Sequence, residues 1–181
     1  MLNLDNYPEF KSDIQGNAFN LHPVVKINTN PPIYLSQNEE VIDDGGEPKN
    51  FQALNLKIPS IKESIDIENR NFKINNITLT ISNIDYIDNN GSKTLFSDLF
   101  STRNFLNISV EIYWKSQSCK TLEQCLPVYT AIIKRVSHDY NNVKIILEDL
   151  TESVMHRKVP IGILNSENAL RDEDVNKTIP M

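Results

Sequence analysis

Apolar residues recur at every second position in several stretches of the chain after residue 53. Successive side chains of a β-strand point to opposite faces of a sheet, so this spacing indicates strands that are buried on one face. The alternation is clearest over 77–81, 108–114 and 143–147. We therefore expect one β core that contains Ile77, Leu79, Ile81, Val110, Ile112, Ile145 and Leu147.

Turn-forming residues separate the predicted strands. The sequences Asp-Gly-Gly at 44–46 and Asn-Gly at 90–91 favour tight turns. Residues 139–142, Asp-Tyr-Asn-Asn, lie between an apolar stretch at 128–136 and the alternating stretch 143–147. That arrangement predicts a β-hairpin near the end of the domain.

Helical spacing of apolar residues is restricted to short segments. It occurs at 95–100, and single helical turns are predicted at 151–156 and 166–171. With about eight strands and so few helical positions, the sequence predicts a mainly β fold. The expected architecture is an antiparallel β-sandwich or barrel with two or three short helices.

The distribution of proline and charge suggests three regions. Residues 1–32 are polar and contain four prolines, which predicts an extended N-terminal arm around one short strand at 24–27. Residues 33–160 form the β-rich domain, in which the acidic stretch 37–50 is expected to be a solvated loop without metal. Residues 161–181 are expected to lead to a further segment or a partner.

The overall charge limits the classes of partner. The chain has 24 acidic and 18 basic residues in 181, a net charge of −6, which argues against a specific nucleic-acid interface. No apolar run has the ~20 residues of a membrane span. The first ten residues do not resemble a secretory signal, so we expect synthesis and folding in a cytoplasm.

The two cysteines do not match a known metal or redox motif. Cys119 and Cys125 are separated by five residues, which fits neither a zinc site nor a thioredoxin-like pair. We interpret them as ordinary thiols in or near a loop. A small loop closed by a disulfide is an alternative that the spacing also allows.

Residues that could perform catalysis are not grouped in the sequence. Glycine motifs for nucleotide binding and for a nucleophilic serine are absent, and the three histidines are widely separated. The adjacent carboxylates Glu148 and Asp149 would point to opposite faces of a strand. The sequence therefore predicts no catalytic, cofactor-binding or metal-binding residues, and we expect a protein that is not an enzyme.

Two neighbouring aromatic residues suggest an alternative binding function. Trp114 is the single tryptophan and Tyr113 lies on the other face of the same predicted strand. One aromatic in the core and one at the surface is the simpler interpretation. If either formed an exposed platform, a carbohydrate-binding β-sandwich that attaches to a host surface would be favoured.

Residues 72–160 resemble a family of bacteriophage tail hub and baseplate proteins, which includes hub-like proteins of gene-transfer particles. The similarity is carried by five motifs in the same order and at similar spacing: L-x-I-x-N, V-x-I-Y, Y-x-x-x-I, I-x-L-x-D and K-x-P, at 79–83, 110–113, 129–133, 145–149 and 158–160. Some relatives have glycine where this chain has Ala131. A four-cysteine iron–sulfur site of some hub proteins is not expected here, because only two cysteines are present.

This resemblance implies a structural virion protein of the phage tail, in a hub, baseplate or distal tail ring around the tail channel. The expected partners are copies of the same chain in a ring of three or six, together with tube, tape-measure or fibre proteins. We expect the ring interface to be formed by the N-terminal arm, the 37–50 loop and the 115–127 loop.

Overall fold

The computed structural model describes most of the chain in nine segments: 3–16, 20–54, 56–59, 63–66, 71–74, 76–88, 91–149, 161–163 and 178–180. The chain divides into two compact units, residues 1–150 and 151–181. Within the second unit, Ile161–Ile163 pairs antiparallel with Thr178–Pro180. The helical turns predicted for 151–156 and 166–171 lie outside the described residues.

The larger unit is built on one sheet of eight strands, which we number in chain order. Across the sheet they are β3 (Glu40–Asp44), β4 (Glu47–Ala53), β2 (Ile33–Ser36), β1 (His22–Ile27), β10 (Ser109–Lys115), β11 (Leu126–His138), β12 (Asn142–Asp149) and β7 (Ile77–Ser82). All neighbours run antiparallel except β2 and β4, which are parallel. The N-terminal strand β1 therefore lies in the middle of the sheet.

Smaller elements complete this unit. Two hairpins are formed by β5 (Glu63–Asp66) with β6 (Asn71–Ile74) and by β8 (Asp85–Ile87) with β9 (Lys93–Leu95). The helices are α1 (Pro8–Gln15) and α2 (Leu99–Thr102), with 3-10 turns at Leu4–Asn6, Phe96–Asp98 and Leu122–Gln124. The predicted mainly β fold with short helices is confirmed. No helix among the described residues is long and apolar enough to cross a bilayer.

The sheet is not closed into a barrel by the strands that the structure describes. A single bridge nevertheless joins its edge strand β7 to the segment that follows β4. Lys57 and Thr80 exchange two backbone hydrogen bonds of 2.8 and 3.1 Å, and the Ser82 amide donates to the Leu54 carbonyl at 2.8 Å. These bonds cover backbone groups of β7 that would otherwise face water.

The seven predicted core residues lie in one cluster on one face of the sheet. Each is at most 3% exposed, and the cluster also includes Val25 and Ile27 of β1 and Phe96 beside α2. The prediction of one β core containing these residues is thus confirmed. A second core on the opposite face was not predicted; it consists of Val24, Tyr34, Ile42, Phe51 and Leu122.

The N-terminal region is not an extended arm. Residues 8–15 form α1, Phe10 on this helix is buried, and β1 pairs with both β2 and β10. Pro8 is at the first position of the helix. A backbone N–H at this position has no acceptor within the helix, so a proline, which lacks the N–H, costs no hydrogen bond there. The prolines that suggested an arm are therefore compatible with a packed segment.

The acidic stretch 37–50 is also more ordered than a solvated loop. It forms most of the β3–β4 hairpin, in which Gly45 and Gly46 make the turn with φ of +67° and +87°. Two successive positive φ angles are typical of a type I′ turn. Residues with a Cβ atom rarely adopt such angles, which explains the two glycines. The predicted turn at 44–46 is confirmed, whereas its surroundings are strand rather than loop.

Candidate functional site

Among the described residues, the carboxylates and histidines that the sequence offered for catalysis do not converge. Glu148 on β12 binds Lys134 on β11, with 2.6 Å between Oε1 and Nζ. His138 is exposed at the end of β11, whereas His22 is buried at the start of β1. Glu148, His22 and His138 therefore do not form a catalytic group. His156 lies outside the described residues.

A buried polar network has formed instead around the carboxylate of Glu40. His22 and Lys115 face each other across β1 and β10. The first residue of β3, Glu40, contacts both, with 2.7 Å from Oε1 to His22 Nε2 and 3.2 Å from Oε2 to Lys115 Nζ. The hydroxyl of Ser36 donates to the same carboxylate at 2.6 Å.

Burial and hydrogen bonding act in opposite directions on Glu40. Its side chain is 17% exposed, and those of His22 and Lys115 are 11% exposed. Burial alone would raise the pKa of Glu40, but the hydrogen bonds from Ser36 and His22 and the charge of Lys115 lower it below 4.5. The carboxylate is therefore ionised at neutral pH and neutralises a buried ammonium.

A second ion pair connects the same hairpin to β1. Lys26 Nζ lies 2.6 Å from Asp44 Oδ2, and the hydroxyl of Tyr34 donates to that oxygen at 2.8 Å. Burial would raise the pKa of Asp44, while the bonds from Lys26 and Tyr34 lower it. Glu40 and Asp44 are the two ends of β3, so one end of this edge strand is attached to His22 of β1 and Lys115 of β10, and the other end to Lys26 of β1.

The two networks can position a strand but are poorly suited to proton transfer. An acid or base of a catalytic site needs a pKa near the working pH, and these carboxylates are shifted away from it. Their oxygens are already bonded to cations and hydroxyls of the same chain. We interpret the networks as attachments that set the place of the β3–β4 hairpin.

The three segments expected to form a ring interface contact one another within the same chain. Asp13 of α1 accepts hydrogen bonds from the Ser118 amide and hydroxyl at 2.8 and 2.7 Å. Gln124 donates to Glu9 of α1 at 3.1 Å, and the Asp43 amide of β3 donates to the Lys120 carbonyl. These segments therefore form an intramolecular contact, and their part in a ring interface stays a prediction.

A groove containing Trp114 opens at one end of the main core. Its volume is about 720 Å³, and its lining is mostly apolar, with Leu56, Ile58 and Ile112 beside the indole. Trp114 is 38% exposed. It lies on β10 two residues after the buried Ile112, and neither Trp114 nor Tyr113 is fully buried. Tyr113, on the other face, packs partly buried against the second core.

A second groove, which we call the Tyr140 groove, lies at the other end of the sheet. It has a volume of about 500 Å³ and is lined by Ser82, Asn83, Ile84, Leu95, Tyr140, Asn141 and Asn142. Tyr140 is 91% exposed, and Ile84 and Leu95 are 45% and 44% exposed. The Asp139 carboxylate accepts from the Asn141 and Asn142 amides at 2.8 and 2.7 Å and thereby fixes the turn that carries Tyr140.

Sequence reasoning missed both the Glu40 network and the Tyr140 groove. Glu40 lies in an acidic run, and only the pairing of β1 with β10 brings His22 and Lys115 to it. Tyr140 was interpreted as a turn residue; the available signal was the large aromatic ring itself, which is unusual among the small polar residues of turns.

Comparison with known proteins gives no further identification. Neither a family model nor a curated protein matches the sequence.

Proposed function

We propose that this protein is a structural subunit of a bacteriophage tail, in a hub, baseplate or distal tail ring, with no catalytic role and no cofactor. The observation that supports this best is the Tyr140 groove. It places three exposed apolar side chains, those of Ile84, Leu95 and Tyr140, together at one end of the sheet. The similarity of residues 72–160 to tail hub and baseplate proteins supports the same function.

Exposed apolar side chains that lie together are characteristic of contact surfaces. A monomer gains nothing from a tyrosine that is 91% exposed beside an isoleucine and a leucine. Tyrosine is enriched at protein interfaces because it buries a large ring and keeps a polar hydroxyl. The hydrogen bonds of Asp139 fix the backbone of the turn at 139–142, so binding would order little further backbone there.

In the proposed assembly, the Tyr140 groove of one copy contacts a different surface of the next copy. Such head-to-tail contacts produce a closed ring when the rotation between copies closes. A ring of three or six subunits in the virion tail would then bind tube, tape-measure or fibre proteins through its other surfaces. Synthesis would take place in the host cytoplasm.

The experiment replaces Tyr140 by aspartate and compares it with Val41→Asp. Val41 is 66% exposed on β3, at the opposite edge of the sheet, and is a matched apolar control. We expect the wild-type and Val41→Asp proteins to form rings visible by electron microscopy, whereas Tyr140→Asp stays monomeric by light scattering. Rings of Tyr140→Asp protein would refute the groove as the contact. A wild-type chain that is monomeric and absent from purified particles would refute the tail function.

The Trp114 groove favours a second candidate, a carbohydrate-binding module for attachment to a host surface. An indole that is 38% exposed above an apolar groove could stack on a sugar ring. Only Gln37 and Lys57 provide polar side chains to the lining, which is little for hydroxyl recognition. Because Trp114 is the single tryptophan, a saturable fluorescence change with host polysaccharide would support this candidate. If the tyrosine emission of the Trp114→Ala protein still changed when the polysaccharide was added, the groove would be excluded as the sugar-binding site.

A further inference from the structure

The two cysteines of the chain lie together in a small buried cluster beneath α1. Cys119 and Cys125 are free thiols, 1% and 0% exposed, and Phe10 of α1 packs on them. The Cys119 thiol donates to the Gln124 carbonyl at 3.3 Å, and the Cys125 thiol donates to the Thr121 carbonyl at 3.4 Å. Both side chains belong to the same buried cluster, so the two thiols lie near each other.

We propose that Cys119 and Cys125 form a reversible disulfide when the protein meets a low-molecular-weight disulfide such as oxidised glutathione. One protein thiolate attacks a sulfur of oxidised glutathione, forms a mixed disulfide and releases one reduced glutathione. The second protein thiolate attacks the cysteine sulfur of the mixed disulfide and releases the other. The protein thiols are oxidised, glutathione is reduced, and both cysteine protons end on the released thiols.

The helix α1 controls access to this pair. Burial, together with the neighbouring Cys119, raises the pKa of Cys125 to about 12, and only the thiolate is a good nucleophile. The helix is attached to the cysteine loop by Asp13, which binds Ser118, and by Glu9, which binds Gln124. The cysteines can therefore react only when α1 moves away from them. The rate of disulfide formation then depends on how often the helix opens.

The disulfide would fix the part of the structure on which α1 and β3 rest. It closes the loop that contains the 3-10 turn Leu122–Gln124, and the Lys120 carbonyl in this loop accepts from the Asp43 amide of β3. A cross-link over so short a loop restricts the unfolded chain modestly. For a chain of this length, the melting temperature should rise by about 5 °C.

The test uses the full chain, first reduced and then incubated with oxidised glutathione. After alkylation, we expect an intact mass lower by two hydrogen atoms, no alkylation at either cysteine, and a peptide that links Cys119 to Cys125. Reducing agent should reverse all three changes and the rise in melting temperature. In Cys119→Ser, the reaction should stop at a mixed disulfide on Cys125.

Three results would overturn the proposed pair: stable glutathione adducts on both cysteines, disulfide-linked dimers, or thiols that stay reduced until the protein unfolds. The covering role of α1 is tested with Asp13→Ala, which should accelerate disulfide formation about tenfold because a charged hydrogen-bond acceptor is lost. Asp85→Ala, at an exposed aspartate on β8, is the control and should react at the wild-type rate. Equal rates for all three proteins would overturn that role.

Discussion

The carboxylate of Glu40 lies 2.7 Å from the imidazole of His22, although β3 and β1 are not neighbours in the sheet. The edge hairpin therefore has to fold back towards the middle of the sheet to bring Glu40 to His22 of β1 and Lys115 of β10. Most of the predictions below test how strongly such side-chain contacts hold the hairpins in place.

Replacing Glu40 by alanine should lower the free energy of unfolding by about 2–4 kcal/mol. The change leaves Lys115 and His22 buried without their shared acceptor, and an uncompensated buried charge is costly. Urea unfolding followed by circular dichroism measures the loss. Glu39→Ala, at an exposed neighbouring residue, should change stability by less than about 0.5 kcal/mol. Equal losses in the two variants would contradict the network.

The stabilisation by Glu40 should disappear in acid. Its folded pKa lies below the ordinary 4.5 because of the bonds from Ser36 and His22 and the charge of Lys115, which outweigh burial. A lowered folded pKa stabilises the protein above pH 4.5, and this contribution is lost as the pH falls through the folded pKa. The stability difference between wild type and Glu40→Gln should therefore shrink between pH 5 and pH 3. A difference that is constant with pH would show that Glu40 is not ionised in the folded protein.

Leu79→Ala should cost about 2–5 kcal/mol, since the side chain is completely buried in the main core and its loss leaves a cavity. Thr78→Ala is the matched control, because Thr78 is the adjacent residue of β7, points to the opposite face and is only partly buried. Urea unfolding of both variants should give a clearly larger loss for Leu79→Ala. Similar losses would place Leu79 outside the core.

Gln52→Met should loosen the β8–β9 hairpin. The side-chain amide of Gln52 binds the backbone of Ile87 twice: it donates to the carbonyl at 2.5 Å and accepts from the amide at 2.9 Å. Removing both bonds should cost about 1–2 kcal/mol. Hydrogen exchange should accelerate at the amides of β8 and β9 and remain unchanged in β10 and β11. Gln117→Met, at an exposed glutamine, should leave both regions unchanged.

The strands were predictable where burial on one face imposes a period of two. The residues Leu79 and Ile145, which face each other across β7 and β12, were both identified in this way. The pairing of distant strands was not predictable, because an alternating pattern does not name its partner. The contact between Val25 and Ile112, in the centre of the sheet, carries no local signal in the sequence.

The errors have physical causes of the same kind. Proline was interpreted as a mark of extended chain, yet Pro8 starts α1, where proline is favoured. Acidic residues were interpreted as solvated, yet Glu40 and Asp44 meet cations from β1 and β10. In both cases the sequence identifies the residue type, but it does not show which residues lie beside it in the folded protein.

The central position of β1 has a consequence for how the protein is made on the ribosome. Val25 pairs with Ile112, roughly ninety residues later in the chain. At the usual ~5–20 residues per second, β1 waits several seconds after emerging before its partner strand β10 is synthesised. During that interval the side of β1 that later pairs with β10 is open, so this apolar strand is exposed to aggregation while the chain is being made.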